Sequence, residues 1–501
     1  MNNLPIQKIT ALILFLAVAI SCKKKSPDYL LNDKTFLKEQ SEFVRGVDNF
    51  LGKDFVSLYS SNQNDFTFKV DSLREVYENH RKLNKGIISE ELYTNEELGI
   101  RSLFDWFILR YPNLHYNLTG KRVVLSEKNQ LRIANNLADF DKINSIKNQD
   151  FQRYFREYME IEVDKILRTD EFAGLDNQEL RANWKLINRL FKDNKVRDYW
   201  RKEYLNKQIG DFGIENIDSV YKDFISTCQN NDYLNEVKEL YDNHKKGREK
   251  HLIEIYKTVD NHQLEMHLFL PAKSNTNELK PLMVHFHGGS WGYGKPDWFF
   301  GAAEEYKNNG WVVAAIEYRL KGRHGTYPFE AVKDAKSALR WLRKNAKKYG
   351  ADPNKVVVTG NSAGGHLAMA TVLNKDLNAS TDDLSVSAIP NAVIVNGGVY
   401  DLTTRNNRWV SEKLENKDEV KLISPNHLVA KTPTKFMLIH GEKDRRCELE
   451  TAQYFYDEMK KRGNDVQLHI VKGANHFIWF GEHSRQVDRV TNEFLDKLSL
   501  K

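Results

Sequence analysis

The chain has 501 residues, more than one hydrophobic core usually organises, so two domains are expected. Hydrophobic residues make up 41% of it and include nine Trp, which argues against disorder throughout. Its 75 basic and 69 acidic residues leave a net charge of +6, scattered rather than gathered in blocks, so no nucleic-acid partner is implied.

From the N-terminus, "ITALILFLAVAIS" runs 13 residues without a charge, too short to span a bilayer but suited to a secretory leader. The "LAVAISC" that closes it resembles the lipobox of bacterial lipoproteins. That resemblance implies a signal peptide over 1–21, a lipid such as palmitate on Cys22, and a polar tether over 22–34 at a membrane of the bacterial cell envelope. An ordinary leader with an incidental cysteine is the other reading. No later stretch is long and apolar enough to cross a membrane.

Residues 35–250 predict a mostly helical domain of unassigned role, with Pro112 as its one proline. "FQRYFREYMEIEVDKIL" repeats apolar groups at Phe151, Tyr154, Phe155, Tyr158 and Met159, the stripe of a helix packed on one side. "NNDYLNEVKELYDNHKKG" has a capping start and a cationic, glycine-containing stop, so it reads as a complete helix. The stretch "VRDYWRKEYLNKQIGDFGIENIDSVYKDFIS" resembles in composition the segment before the thioredoxin-like domain of some envelope lipoproteins, and that resemblance assigns no catalytic residue.

The rhythm changes over 251–501, which hold eight prolines and 18 of the 27 glycines. "LIEIYKTVDNHQLEMHLFLP" reads as an antiparallel hairpin. Short Val/Ile runs then alternate with helical stretches, as strands buried on both faces require, so the fold class is α/β with a mainly parallel sheet flanked by helices. Each strand ends in glycine or a polar group, at the edge where parallel sheets bind ligands.

The first of these ends, "HFHGGSWGYG", suits an oxyanion hole, because Gly288 and Gly289 let the backbone approach a substrate. Gly289 and Ser290 are its expected N–H donors, with Ala363 N–H as a third. His285 and His287 share a strand face and could pair on a metal, but no carboxylate or third histidine lies near them in sequence. Trp291, Tyr293, Trp298, Phe299 and Phe300 follow as a possible platform for sugar, Trp291 foremost, with core packing as the competing role.

Further on, Gly360-Asn361-Ser362-Ala363-Gly364 fits G-x-S-x-G between a strand and a helix, the setting of a nucleophile elbow. A serine hydroxyl needs a base, and the base an orienting acid; in this fold they follow in the order acid, then histidine. Asp444 in "GEKDRRC" and His476 in "GANHF" fill the two places, against Glu442 and Asp401 for the acid and His469 and His483 for the base. His366 is read as packing within the elbow helix, and Cys228 and Cys447 as thiols that export would permit to pair.

The HGG-type loop, "EYRL", "VVVTGNSAGGHLA", "HGEKD" and "GANHF", in this order, resemble the α/β-hydrolase superfamily, and within it the carboxylesterases of the hormone-sensitive-lipase-like and acetylxylan- or feruloyl-esterase-like groups. The resemblance implies an α/β-hydrolase fold over 251–501, Ser362, Asp444 and His476 as triad, and hydrolysis of short-acyl esters, including acetyl or feruloyl groups on polysaccharides. Ser290 stands where the third glycine of HGGG is usual, and Cys447 where a small aliphatic residue is common. Such chemistry requires no metal or organic cofactor. A prolyl-oligopeptidase-type peptidase and an inert envelope scaffold are the alternative readings.

Overall fold

A computed structural model describes residues 29–498 and 500, apart from 138–140, 142, 260, 273–277 and 412–413. The leader over 1–21 and Cys22 lie outside the described residues. The chain forms two compact units that divide between Ile161 and Glu162.

The first unit is helical: α1 (Tyr29–Ser60), α2 (Gln63–Leu83), α3 (Glu90–Thr119), α4 (Glu127–Leu137) and the start of α5 (Gln149–Leu167). Asn62 and Ser89 accept hydrogen bonds from the first free N–H groups of α2 and α3, and Gly120, in the left-handed region, ends α3. The apolar stripe of α5 is buried at all five expected positions. Residues 29–34, expected as the end of a tether, are instead the first turns of α1. Asn32 Nδ2 donates to Ile87 O (2.9 Å) and Ser89 N to Asp33 Oδ1 (2.8 Å), so these polar side chains make helix contacts.

The second unit opens with α6 (Gln178–Leu190), α7 (Asn194–Phe212), α8 (Asp218–Thr227) and α9 (Asn231–Arg248), the last capped by Asn230 as its sequence predicts. Eight strands follow: β1 (Leu252–Val259), β2 (His262–Phe269), β3 (Lys280–Phe286), β4 (Val312–Ile316), β5 (Ala351–Asn361), β6 (Ala392–Asn396), β7 (Lys435–Gly441) and β8 (Val466–Val471). They form one sheet in the order β1-β2-β4-β3-β5-β6-β7-β8, with β2 antiparallel to both neighbours and β3 to β8 parallel.

Alternation along each strand fills two cores. Leu282, Val284, Val356, Val358, Val393 and Val395 face the helices α12 (Pro328–Asn345), α13 (Ala363–Leu373) and α14 (Leu449–Lys461). Met283, Val357, Ala392 and Ile394 face α10 (Phe300–Asn308) and α15 (Ser484–Lys497), and the four-residue α11 (Lys321–His324) lies between α10 and α12 in the chain. Cover on both faces is what runs such as "VVAAI" demand.

The expected boundary at 250 is corrected by this arrangement. Composition changes there because strands begin, yet α6 to α9 already belong to the sheet's unit. Phe212 packs in the main sheet core, Asn177 N donates to Arg323 O (2.8 Å), and Arg248 pairs with Glu265 (2.8 Å). Contacts of this kind join residues far apart in sequence, which local composition does not register.

Candidate active site

Ser362 stands between β5 and α13 with φ 54° and ψ −118°. A serine in that region is strained by about 1–3 kcal/mol, and the surrounding chain has to hold it there. It does so with Ser362 N donating to Asn396 O (2.9 Å) and His366 N to Ser362 O (3.1 Å). The flanking glycines are dictated by space: a Cβ at Gly360 would strike the backbone of Gly364, and one at Gly364 the carbonyl oxygens of Phe286 and His287.

The loops after β7 and β8 bring the other two groups to the same edge. Ser362 Oγ donates to His476 Nε2 (3.0 Å), and His476 Nδ1 donates to Asp444 Oδ2 (2.7 Å). The second oxygen of Asp444 accepts from the backbone N–H groups of Arg446 (2.8 Å) and Cys447 (2.9 Å). Burial pushes the Asp444 carboxyl upward, but its bonds to His476 and Cys447 N and the nearby His440 outweigh this and hold it below the usual carboxylate range. His440 Nε2 donates to Cys447 O (2.7 Å), tying down the loop that presents Asp444.

The rival residues are engaged elsewhere. Glu442 accepts from Gly473 N (2.7 Å), Asp401 accepts from its own loop at Thr403, His469 meets Gln486 (2.8 Å), and His483 pairs with Glu482 (3.2 Å). His366 is buried, with its Nε2 on Ile423 O (2.7 Å) and its ring against Trp291. Cys228 and Cys447 are both free and buried. Burial and Asp444 raise the Cys447 thiol far above its ordinary value, which Ser362 and Arg446 only partly offset.

Over the serine lies the loop from His287 to Gly294. Gly288 sits so close that a Cβ there would touch Asn361 O (3.1 Å) and Ser362 Cβ (3.4 Å). The next three residues all take positive φ, Gly289 at 108°, Ser290 at 52° and Trp291 at 55°. This left-handed run turns the loop back on itself, with Gly292 N and Tyr293 N both donating to Gly289 O (3.0 and 3.1 Å). Among the described residues, the N–H groups of Gly289 and Ser290 make no backbone hydrogen bond outside helices and strands. Ala363 opens α13, so its N–H has no acceptor within the helix.

His287 braces this loop by donating from Nδ1 to Gly288 O (2.7 Å) while its ring stacks on Tyr318, whose hydroxyl donates to His287 O (2.8 Å). Burial lowers His287 to about 4 and His285 to about 3, so both rings are neutral at physiological pH. His285 stacks on Phe299, and among the described residues no third ligand joins the two histidines. Two other buried groups have ligand-like composition. In Asp176, His262 and His324, the carboxylate is already bonded to His262 and paired with Arg323 (3.3 Å), whose charge opposes a cation. Asp444 and His476, grouped with Cys447, spend their facing atoms on each other.

A cavity of about 610 Å³ opens onto Ser362 and His476 and is lined by Gly288, Gly289 and Ser290. Of the five aromatic residues after the loop, Trp291, Tyr293 and Trp298 line it, Trp291 as a buried wall and the other two partly exposed. Phe299 and Phe300 are not wall residues; they pack against His285 and His251. Sequence reasoning missed Phe477, Trp479, Phe480, Arg445 and Arg446, which are part of the lining, as are Val399, Asn406 and Asn407. The only signal was position, since the run "HFIWF" begins at His476 and "DRRC" at Asp444.

The family model described as BD-FAE matches residues 266–459. The chain is similar to the esterase LipQ of Mycobacterium tuberculosis, at 31% identity over 43% of this chain and 55% of the relative. It is also similar to the isoprenylcysteine alpha-carbonyl methylesterase ICME of Arabidopsis thaliana, at 27% over 42% and 52%. It thus spans about half the length of the curated relatives it matches. Among solved structures, the apo form of Thermogutta terrifontis esterase 2 is 33% identical over 50% of this chain and 96% of that one, with a TM-score of 0.48. The matched residues lie within the sheet-bearing unit, whose strand order and serine at a strand-to-helix turn are those of an α/β-hydrolase fold, and this unit is similar to the BD-FAE family.

Proposed function

We propose that the protein is a serine carboxylesterase that cleaves short-acyl esters through an acyl-enzyme. The observation that carries this reading is the line from Ser362 through His476 to Asp444, with steps of 3.0 and 2.7 Å, beneath a loop that offers free N–H groups. His476 takes the hydroxyl proton as Ser362 Oγ attacks the ester carbonyl, and Asp444 holds the imidazole in the tautomer whose Nε2 can accept it. The carbonyl oxygen, as it gains charge, is received by the N–H groups of Gly289, Ser290 and Ala363. His476 then protonates the departing alcohol, and a water activated by the same imidazole releases the acid.

The substrate class rests on the cavity. Its volume of about 610 Å³ has room for an acyl group together with part of the alcohol it is joined to, and the partly exposed Tyr293, Trp298, Phe477 and Phe480 at its mouth offer faces to a sugar or an aryl ring. Acetyl or feruloyl esters on glycans fit both features. With p-nitrophenyl esters from acetate to octanoate, hydrolysis should fall with acyl length and disappear in Ser362→Ala. Hydrolysis by that variant would refute the nucleophile, and a rate rising with chain length would refute the short-acyl preference.

The reading includes anchoring at a bacterial envelope membrane through a lipid on Cys22, supported by the "LAVAISC" pattern. No described helix is long and apolar enough to cross a membrane. Cells fed an alkyne analogue of palmitate should label the wild-type protein and not Cys22→Ala; equal labelling of both would refute the anchor.

A further inference from the structure

All residues that line the cavity lie between His285 and Phe480, yet the loop over Ser362 is fastened from behind by a segment that precedes the sheet. We infer that α7 and α9 position the oxyanion loop, making the helical segment over 178–248 part of the catalytic machinery and not a separate appendage. The inference rests on the esterase reading above.

The fastening has two sides. On one, Gly294 N donates to Asp211 O (2.8 Å) and the Lys295 ammonium to Ile209 O (2.8 Å), both carbonyls in the last turn of α7. Ile209 O also accepts from Gly213 N (3.2 Å), and the negative end of the helix dipole there attracts the cation. Gly294 passes the constraint on, because it lies so close to His287 and Gly288 O that no Cβ would fit. On the other side, Lys321 N donates to Trp291 O (2.9 Å) and Gly322 N to Gly292 O (3.0 Å). Gly322 in turn lies against Phe212 of α7, a Cβ there falling 2.7 Å from the ring.

A three-residue strap adds α9. His244 Nδ1 donates to Asp297 Oδ2 (2.8 Å), which leaves Nε2 to accept from Lys295 Nζ (2.9 Å). Lys295 is only 5% exposed, and Asp297 lies 3.8 Å from its ammonium. None of Lys295, His244 and Asp297 lines the cavity, so they are positioning residues, acting through the loop. The expected magnitude follows from the chemistry: removing an oxyanion donor costs about 10²–10³ in turnover, and displacing one costs part of that.

The test uses the full chain with Lys295→Met and His244→Ala. Active sites are titrated to completion with paraoxon, and p-nitrophenyl acetate is the substrate. Acylation and deacylation draw on the same N–H groups, so both should slow while KM holds within about threefold. For Lys295→Met we expect kcat per titrated site to fall about ten- to hundredfold, with a smaller fall in the same direction for His244→Ala. The Ki of phenylboronic acid, whose tetrahedral serine adduct needs the same donors, should rise in parallel. If Lys295→Met does not fold, His244→Ala decides. Unchanged kcat per titrated site and boronate affinity in the folded variants would overturn the inference, as would a loss confined to thermal stability or to the number of titratable sites. Absence of Ser362-dependent hydrolysis in the wild type would instead overturn the esterase reading beneath it.

Discussion

Asp444 shows how one residue ties electrostatics to both rate and stability. Its carboxyl is held below the usual range, so the charged form persists into acid and the support it lends His476 is constant around neutral pH. Replacing it by asparagine removes the charge and permits the wrong tautomer; kcat should fall by on the order of 10³–10⁴ in steady-state assays. A carboxyl whose folded pKa is depressed stabilises the fold above its unfolded value, about 3.9, and that contribution is lost as pH falls through the lower folded value. The gap in Tm between wild type and Asp444→Asn should therefore be flat from about pH 7 to 5 and close only below about pH 4. Cys447 behaves in the opposite sense. Burial keeps its thiol protonated, so iodoacetamide at pH 8 should leave hydrolysis intact, and rapid inactivation lost in Cys447→Ala would contradict the burial argument.

At the scale of elements, the turn from β5 into α13 leaves no room for a side chain at either of its glycines. Gly364→Ala would drive a methyl into the carbonyl oxygens of Phe286 and His287, which belong to β3 and the loop over Ser362. Backbone cannot step aside as a side chain can, so a loss of at least about 1–3 kcal/mol is expected in urea unfolding, together with activity. This turn was legible in the sequence because its constraints are local: Gly360, Ser362 and Gly364 sit within one pentapeptide, and the hydrophobic run before them fixes which end of the strand they occupy. His476 was legible for a related reason, being the first histidine after a strand and a glycine, whereas Asp444 had to be chosen over Glu442, which follows Gly441 directly. The cavity rim was not. Phe477 and Phe480 have the same composition as core aromatics, and only the loop geometry after β8 leaves them 44% and 61% exposed. Nor did composition reveal that α6 to α9 belong with the sheet, since Phe212 and Arg248 look like any helix residues until Gly322 and Glu265 meet them.

For the whole second unit, the seam between these helices and the sheet is ionic as well as apolar. Asp176, Glu215 and Arg248 from the helical side meet Glu265 of β2, Glu317 just after β4 and Arg323 beyond it, in a buried network that includes His262. Burial pulls the Arg323 guanidinium down, and Glu317, Glu215 and Asp176 overcome it, so the arginine is firmly charged. Cutting such a network leaves buried charge without a partner, typically at 3–5 kcal/mol per broken pair. A fragment starting at His251 should consequently fail to give a cooperative melt, while one starting at Glu162 should melt as a unit; a stable, active 251–501 fragment would refute this partition.

The same seam sets an order of events while the chain is being made. Residues 176–248 leave the ribosome with the Asp176 and Glu215 carboxylates awaiting Arg323, which follows Arg248, the end of α9, by 323 − 248 = 75 residues. At roughly 5–20 residues per second the wait is about 4 to 15 seconds, during which Phe212 has no sheet to enter. For that interval the nascent chain presents an apolar helix end beside unpaired carboxylates, a state that a holding chaperone recognises and a protease can cut. The serine elbow, further on at residue 362, is translated after Arg323, the charge that the carboxylates of its supporting segment await.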